Sequence, residues 1–204
     1  MIYKKLKRFS DFFCSIFFLL LLSPIFLIIS ILIIFKDGLP IFYVQNRIGF
    51  QGKYFKMFKF RTMIKNADKD KLGYFCYEGD KRITSLGRIL RKYSLDELPQ
   101  LINILLGTMS FVGPRPAVYD EFERENLPYT YMKYIKLRNQ VKPGLTGFVQ
   151  IHGRNELNWK QKLLFDKIYI NKIKKSDINY LVLDILIIIK TFFIIFSSKG
   201  EYDK

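Results

Sequence analysis

The sequence predicts a mainly α fold with one small β-hairpin (α+β): an N-terminal re-entrant membrane helix over residues 1–36, then one compact cytosolic domain over 37–204 with amphipathic helices at the membrane interface. Three observations predict it. Residues Phe12 to Phe35 carry no charged side chain, two short aromatic runs flank a glycine-containing turn near residue 50, and helical apolar spacing recurs through much of the remainder.

The membrane element comes first. Twenty-four helical residues would be about 36 Å long, enough to cross a hydrocarbon core of roughly 30 Å. On length alone a straight span is expected. Ser23-Pro24 lies near the middle, however, and proline removes a helix hydrogen bond and crowds the preceding turn, so a bend is expected there. Lys4, Lys5, Lys7 and Arg8 precede the run, and Lys36, Arg47, Lys53, Lys56 and Lys59 follow it. Basic flanks on both sides give no clear sidedness for a span. A helix that enters, turns at Ser23-Pro24 and leaves on the cytoplasmic side satisfies both. Arg8 and Asp11, three apart, have the spacing to pair with each other at the interface.

Composition narrows the partners. Lys and Arg outnumber Asp and Glu by 34 to 18, a net charge of +16, yet half the residues are hydrophobic and 17% aromatic. Such an excess calls for a polyanionic partner. Combined with a long apolar run it points to an anionic membrane rather than nucleic acid, whose binders interleave aromatics with basic residues along a groove. Cys14 and Cys76 form no framework and His152 is the single histidine, which argues against a zinc site and fits a reducing cytosolic setting.

The remaining elements follow in chain order. Ile41–Val44 and Tyr54–Phe60, separated by Gly49-Phe50-Gln51-Gly52, read as a hairpin. Asn66 to Asp80 is polar and loop-like, and Ile83–Tyr93 is helical with Arg88, Arg91 and Lys92. Asp120 to Glu125 reads as an acidic helix face, and Pro143-Gly144-Leu145-Thr146-Gly147 as a turn. Asp166 and Tyr169 fall on the next helix. Ile178–Phe196, apolar but broken by Asp184 and Lys190, suits an amphipathic helix at the interface or against the core better than a span. There is no Walker A or G-x-G-x-x-G motif.

The most informative stretch is Ser94-Leu95-Asp96-Glu97-Leu98-Pro99-Gln100-Leu101, followed by Phe111-Val112-Gly113-Pro114-Arg115-Pro116. Leu98, Leu101, Ile102 and Leu105 recur at helical spacing, so a helix is expected to start near Ser94. Either Ser94 and Glu97 form a capping box, or Asp96 is itself the N-cap with Pro99 just inside. Both place two carboxylates at the positive helix end, which also attracts phosphate. Ordinary capping explains the pair taken alone. An ionised carboxylate beside a phosphate site is also what a phosphoryl-transfer nucleophile or a magnesium ligand requires.

In order along the chain stand Lys7-Arg8 with Asp11, Ser23-Pro24, Asn46-Arg47 with Gly49, and Lys59-Phe60-Arg61-Thr62-Met63. Leu90-Arg91, SLDELPQL from Ser94, FVGPRP from Phe111, Lys142-Pro143-Gly144 with Thr146-Gly147, and Gly153-Arg154-Asn155 complete the series. With these motifs the chain resembles, over nearly its full length, the bacterial sugar transferases known as monotopic phosphoglycosyl transferases, in their small form. The resemblance makes residues 37–204 the catalytic domain. It implies that Asp96 attacks the β-phosphate of a nucleoside diphosphate sugar, usually a UDP-sugar, and that the aspartyl phosphosugar passes to polyprenol phosphate such as undecaprenyl phosphate. Glu97 would assist, as a base or an organiser of the metal. Mg²⁺ would bridge Asp96 and the diphosphate. Arg91, Arg115 and Arg154 match positions that face the phosphates, and Lys59 and Asp184 match family positions as well. The implied setting is the cytoplasmic face of the bacterial inner membrane, at the first step of glycan assembly, with downstream glycosyltransferases taking the product. Where the family pattern often has tryptophan and asparagine this chain has Phe148 and His152, which bears on sugar or nucleotide preference.

Two other readings stay in view. A non-catalytic basic membrane-anchored scaffold explains the apolar run and the charge but gives no reason for Asp96-Glu97 beside so many arginines. A membrane-tethered nucleic-acid binder requires aromatics on a basic groove, whereas most here fall in apolar runs.

Overall fold

The computed structural model describes residues 2–67, 79–118, 120–124, 126–153, 156–175 and 177–196. The apolar run forms two helices, α1 (Ile2–Leu21) and α2 (Ser23–Asp37), bent by 60°. The break follows from Pro24. In a continuous helix its nitrogen would donate to the Leu20 carbonyl, and it has no hydrogen to give. The Ser23 hydroxyl donates to that carbonyl instead, at 2.7 Å. Hydrogen bonds from Leu22 N–H to Phe18 and from Phe26 N–H to Leu22 carry the chain round the bend. Among the described residues no single helix is long and apolar enough to cross a membrane, and only this bent pair together has the length and composition.

The pair is held by one face. Ile29 and Ile33 of α2 pack with Phe60, Leu86 and Leu90, while Phe9, Phe17, Leu20, Leu27 and Phe35 are exposed. Truncating Ile33, which is fully buried, would cost roughly 2–5 kcal/mol. Arg8 and Asp11 do not pair with each other as their spacing suggests. Arg8 Nη1 and Nη2 donate to the carbonyls of Ile104 and Leu105, both at 2.7 Å. Asp11 Oδ1 accepts from Ser110 Oγ and Phe111 N–H, both at 3.2 Å. Buried tertiary partners outcompete a solvated pair worth a few tenths of a kcal/mol, about 0.2–0.5.

The hairpin forms as expected: β1 (Phe42–Ile48) pairs antiparallel with β2 (Tyr54–Phe60), from Phe42 opposite Phe60 to Ile48 opposite Tyr54. A 3₁₀ turn at Phe50–Gly52 closes it, with Gln51 and Gly52 at positive φ. Next comes α3 (Ser85–Lys92), whose N-cap Thr84 accepts from Gly87 N–H. Gly87 has a steric role: a Cβ there would stand 2.0 Å from the Thr62 carbonyl oxygen, so only glycine lets α3 lie this close to the end of β2.

Then follow α4 (Gln100–Leu106), β3 (Ser110–Val112), α5 (Glu121–Arg124) and α6 (Met132–Arg138). The expected turn at 143–147 is instead β4 (Gly144–Thr146), pairing parallel with β3 through Ser110–Gly144 and Val112–Thr146. Glycines permit it, since a Cβ on Gly144 would be 2.1 Å from Gly113 N. Two long helices, α7 (Trp159–Lys175) and α8 (Asp177–Phe196), follow. Val112, Tyr169, Ile170 and Ile187 form their shared core. The outer side of α8 leaves Ile185, Ile189, Phe192 and Phe193 exposed.

Candidate active site

Asp96 and Glu97 occupy a 3₁₀ turn of their own, Leu95–Glu97, between α3 and α4. The single helix expected from Ser94 is therefore split. It would require Pro99 to donate to the Leu95 carbonyl, which proline cannot do. That carbonyl accepts from Leu98 N–H instead, at 3.3 Å, and α4 begins at Gln100. Neither capping arrangement forms. Ser94 is left-handed, with φ 53°, and its side chain makes no capping bond. The carboxylates are thus not consumed by capping.

Cations surround them. Lys59 Nζ, from β2, lies 2.8 Å from Glu97 Oε1 and 3.6 Å from Asp96 Oδ2. Arg115 Nη2 donates to the same Glu97 oxygen at 3.1 Å, with its side chain half exposed. Arg91, in the last turn of α3, donates from Nε to Thr62 Oγ1 at 2.9 Å and adds its field at Asp96. The close approach at Gly87 sets α3 against Thr62 and so aims Arg91. Four residues singled out from sequence, Lys59, Arg91, Asp96 and Glu97, meet here with a fifth, Arg115.

The segment presenting Arg115 is tied at every carbonyl from Pro114 to Ala117. Pro114 accepts from Gly144 N–H at 3.0 Å, Arg115 from Arg138 Nη2, Pro116 from Arg47 Nη1 at 3.1 Å, and Ala117 from Ile48 N–H at 2.9 Å. Gly113 N–H donates to Thr146 at 2.9 Å. A half-exposed guanidinium is therefore carried on a fixed backbone.

Burial raises the Asp96 pKa above the ordinary carboxylate value, and the neighbouring Glu97 raises it further; Lys59, Arg91 and Arg115 pull it back. Glu97 raises the Arg115 pKa. Arg47, partly buried and beside Arg115, is lowered to about 10, chiefly by desolvation. The arrangement holds a nearly buried carboxylate at the edge of a cationic cluster, where phosphate oxygens would find charged donors. Among the described residues no three His, Cys, Asp or Glu side chains gather. A divalent ion here would have Asp96 as its protein ligand, with Glu97 already engaged by Lys59 and Arg115.

Asp184 is paired with Lys7 and accepts from the Tyr169 hydroxyl at 2.9 Å, which ties α1 to α7 and α8. Arg154 and Asn155 fall outside the described residues, as does Cys76. Phe148 is buried, and His152 Nδ1 donates to its carbonyl at 2.7 Å while the ring stacks on Phe165. Arg138, Asp166 and Arg47 support the site without any sequence pattern that marks them for that role. Their signal was three-dimensional only, except that Arg47 sits in the Asn46-Arg47 motif.

Residues 2–198 match the family model described as bacterial sugar transferase. The chain belongs to that family. It is an enzyme, a phosphoglycosyl transferase. Among its relatives, the exopolysaccharide production protein ExoY of Sinorhizobium fredii is 40% identical over 210 residues, covering 96% of this chain and 88% of that protein. The undecaprenyl-phosphate galactose phosphotransferase of Salmonella typhimurium is 37% identical across 97% of this chain and 42% of its own length. The UDP-glucose:undecaprenyl-phosphate glucose-1-phosphate transferase of Escherichia coli is 38% identical, again across 97% of this chain and 41% of that longer protein.

Proposed function

We propose that this sugar transferase moves a phosphosugar from a UDP-sugar to polyprenol phosphate through a covalent intermediate on Asp96. The observation that carries the reading is the Asp96-Glu97 turn ringed by Lys59, Arg91 and Arg115. Both substrates are polyanions, so a carboxylate nucleophile needs fixed cations to approach them. Asp96 Oδ attacks the β-phosphorus; the bond from that phosphorus to the bridging oxygen breaks, and UMP leaves with the electron pair. The lipid phosphate oxygen then attacks the same phosphorus, breaking its bond to Asp96 and restoring the carboxylate. Arg115 and Arg91 bind and orient phosphate oxygens, with Arg154 added from the motif match. Lys59 holds Glu97 and keeps Asp96 ionised, and Glu97 assists as a base or organiser at the second step. Mg²⁺ fits a site with one available carboxylate, because it is commonly held by one or two carboxylates plus substrate phosphate. When bound it would neutralise diphosphate charge.

The names of the galactose and glucose relatives, which include undecaprenyl phosphate, support the acceptor; the glucose relative's name supports a UDP donor. The bent apolar pair supports a re-entrant membrane helix hinged at Ser23-Pro24, with the catalytic domain on the cytoplasmic face of the bacterial inner membrane. The exposed side of α8 would rest on the anionic surface, where the lipid phosphate lies. The product would begin a membrane-bound glycan extended by downstream glycosyltransferases.

The test uses UDP-sugars labelled in the sugar, with polyprenol phosphate and Mg²⁺. Label should enter the lipid fraction with one UMP released per transfer. Release of UDP instead would mean glycosyl rather than phosphoglycosyl transfer and would overturn the reading.

A further inference from the structure

The last residue of α6, Arg138, is almost wholly buried and is committed at both ends. Its Nε donates to Asp166 Oδ2 of α7 at 2.9 Å, and its Nη2 donates to the backbone carbonyl of Arg115. Its guanidinium lies 5.5 Å from the Phe122 ring centre and 5.3 Å from that of Trp159. A buried ion pair gains little net stability, since desolvation offsets most of the attraction. This pair does something else as well. It carries a rigid donor from the α6–α7 layer to the one carbonyl that belongs to Arg115 itself.

The neighbouring ties do not duplicate it. Arg47 reaches the Pro116 carbonyl and Gly144 the Pro114 carbonyl, one residue to either side. Arg115 in turn shares Glu97 Oε1 with Lys59. We infer that Arg138, oriented by Asp166, is a positioning residue for Arg115: it fixes the backbone from which that guanidinium reaches Glu97 and the substrate phosphates. The inference rests on the proposed role of Arg115 in binding phosphate. Lysine cannot reproduce it, because a single ammonium on a shorter stem lacks the two-edged fork that spans Asp166 and the Arg115 carbonyl.

A double-mutant cycle tests it on the full chain, with UMP release as the readout. Arg138→Lys should lower kcat/KM by about tenfold, the size of coupling expected between contacting residues. Asp166→Asn, an isosteric change, should lower it in the same direction and keeps the inference testable if Arg138→Lys does not fold. In the Arg115→Ala background either change should have less than about a twofold further effect, since the group being positioned is gone. If Arg115→Ala is strongly impaired and the losses multiply in full, the pair is merely structural and the positioning role is overturned while the phosphate site stands. If Arg115→Ala retains wild-type kcat/KM, the reading of Arg115 fails and this inference falls with it.

Discussion

Lys59 Nζ stands 3.6 Å from Asp96 Oδ2, close enough to support a negative charge and too far for a hydrogen bond, while it bonds Glu97 at 2.8 Å. One ammonium thus neutralises the pair unequally. Glu97 is held in place, and Asp96 feels the charge without a direct bond to the ammonium. Desolvation pushes the Asp96 pKa up and Lys59 opposes it. The acid limb of kcat/KM should therefore lie above the ordinary range near pH 4. Lys59→Gln removes the opposing charge, so the limb should move to still higher pH as well as the rate falling. Profiles of UMP release against pH in both proteins check this, and an unmoved limb would assign the control of Asp96 to Arg91 and Arg115 instead.

Arg115→Ala should lower activity by about 100-fold, the size typical for losing a fixed donor at a developing charge. Its side chain is half exposed and its loop is held by carbonyls and not by the guanidinium, so the unfolding midpoint should barely move. Kinetics and thermal unfolding on one preparation separate the roles. A variant that unfolds early yet keeps its specific activity would make this arginine structural.

The bend at Ser23-Pro24 makes a topological prediction. Cysteines introduced near Lys5 and near Lys53, in a chain whose native Cys14 and Cys76 have been replaced, should both be shielded from an impermeant reagent added outside intact cells. Labelling at either position would mean that residues 12–35 span the membrane. Replacing Pro24 with alanine restores a donor for the Leu20 carbonyl and should straighten the pair, shifting one flank toward labelling.

Much of this could be read from the sequence, and the failures share a cause. The hairpin follows from two short aromatic-rich runs on either side of Gly49-Phe50-Gln51-Gly52, and α3 and the C-terminal amphipathic helix follow from apolar spacing. Lys59, Arg91, Asp96, Glu97 and Arg115 were found as motif positions, and the fold gathers them. Local rules misjudged Arg8 and Asp11, whose spacing suits a mutual pair but whose partners are 96 to 100 residues away. They also missed β4, because a three-residue parallel strand carries no periodicity and depends on the bare backbones of Gly113 and Gly144. The split before α4 was legible in principle: Pro99 forbids a helix bond to Leu95, a stronger statement than apolar spacing at Leu98 and Leu101.

Asp96→Asn separates capping from catalysis most directly. Asparagine caps about as well as aspartate, so a capping role predicts a nearly silent change. The structure already shows no cap bond at this turn, and the nucleophile reading expects transfer at background level. Stability should go the other way. The folded-state pKa of Asp96 is raised, so above that value the ionised carboxylate costs stability, and the cost disappears as pH falls through it. Asparagine carries no such cost, so at neutral pH the variant's unfolding midpoint should equal or exceed that of the wild type. With polyprenol phosphate withheld, the wild type should release one UMP per active site and gain the mass of a phosphosugar, which peptide mapping should place on Asp96. Transfer by Asp96→Asn at the wild-type rate, or an adduct on another residue, would end this mechanism. A variant both inactive and less stable at neutral pH would move Asp96 from the chemistry to the fold.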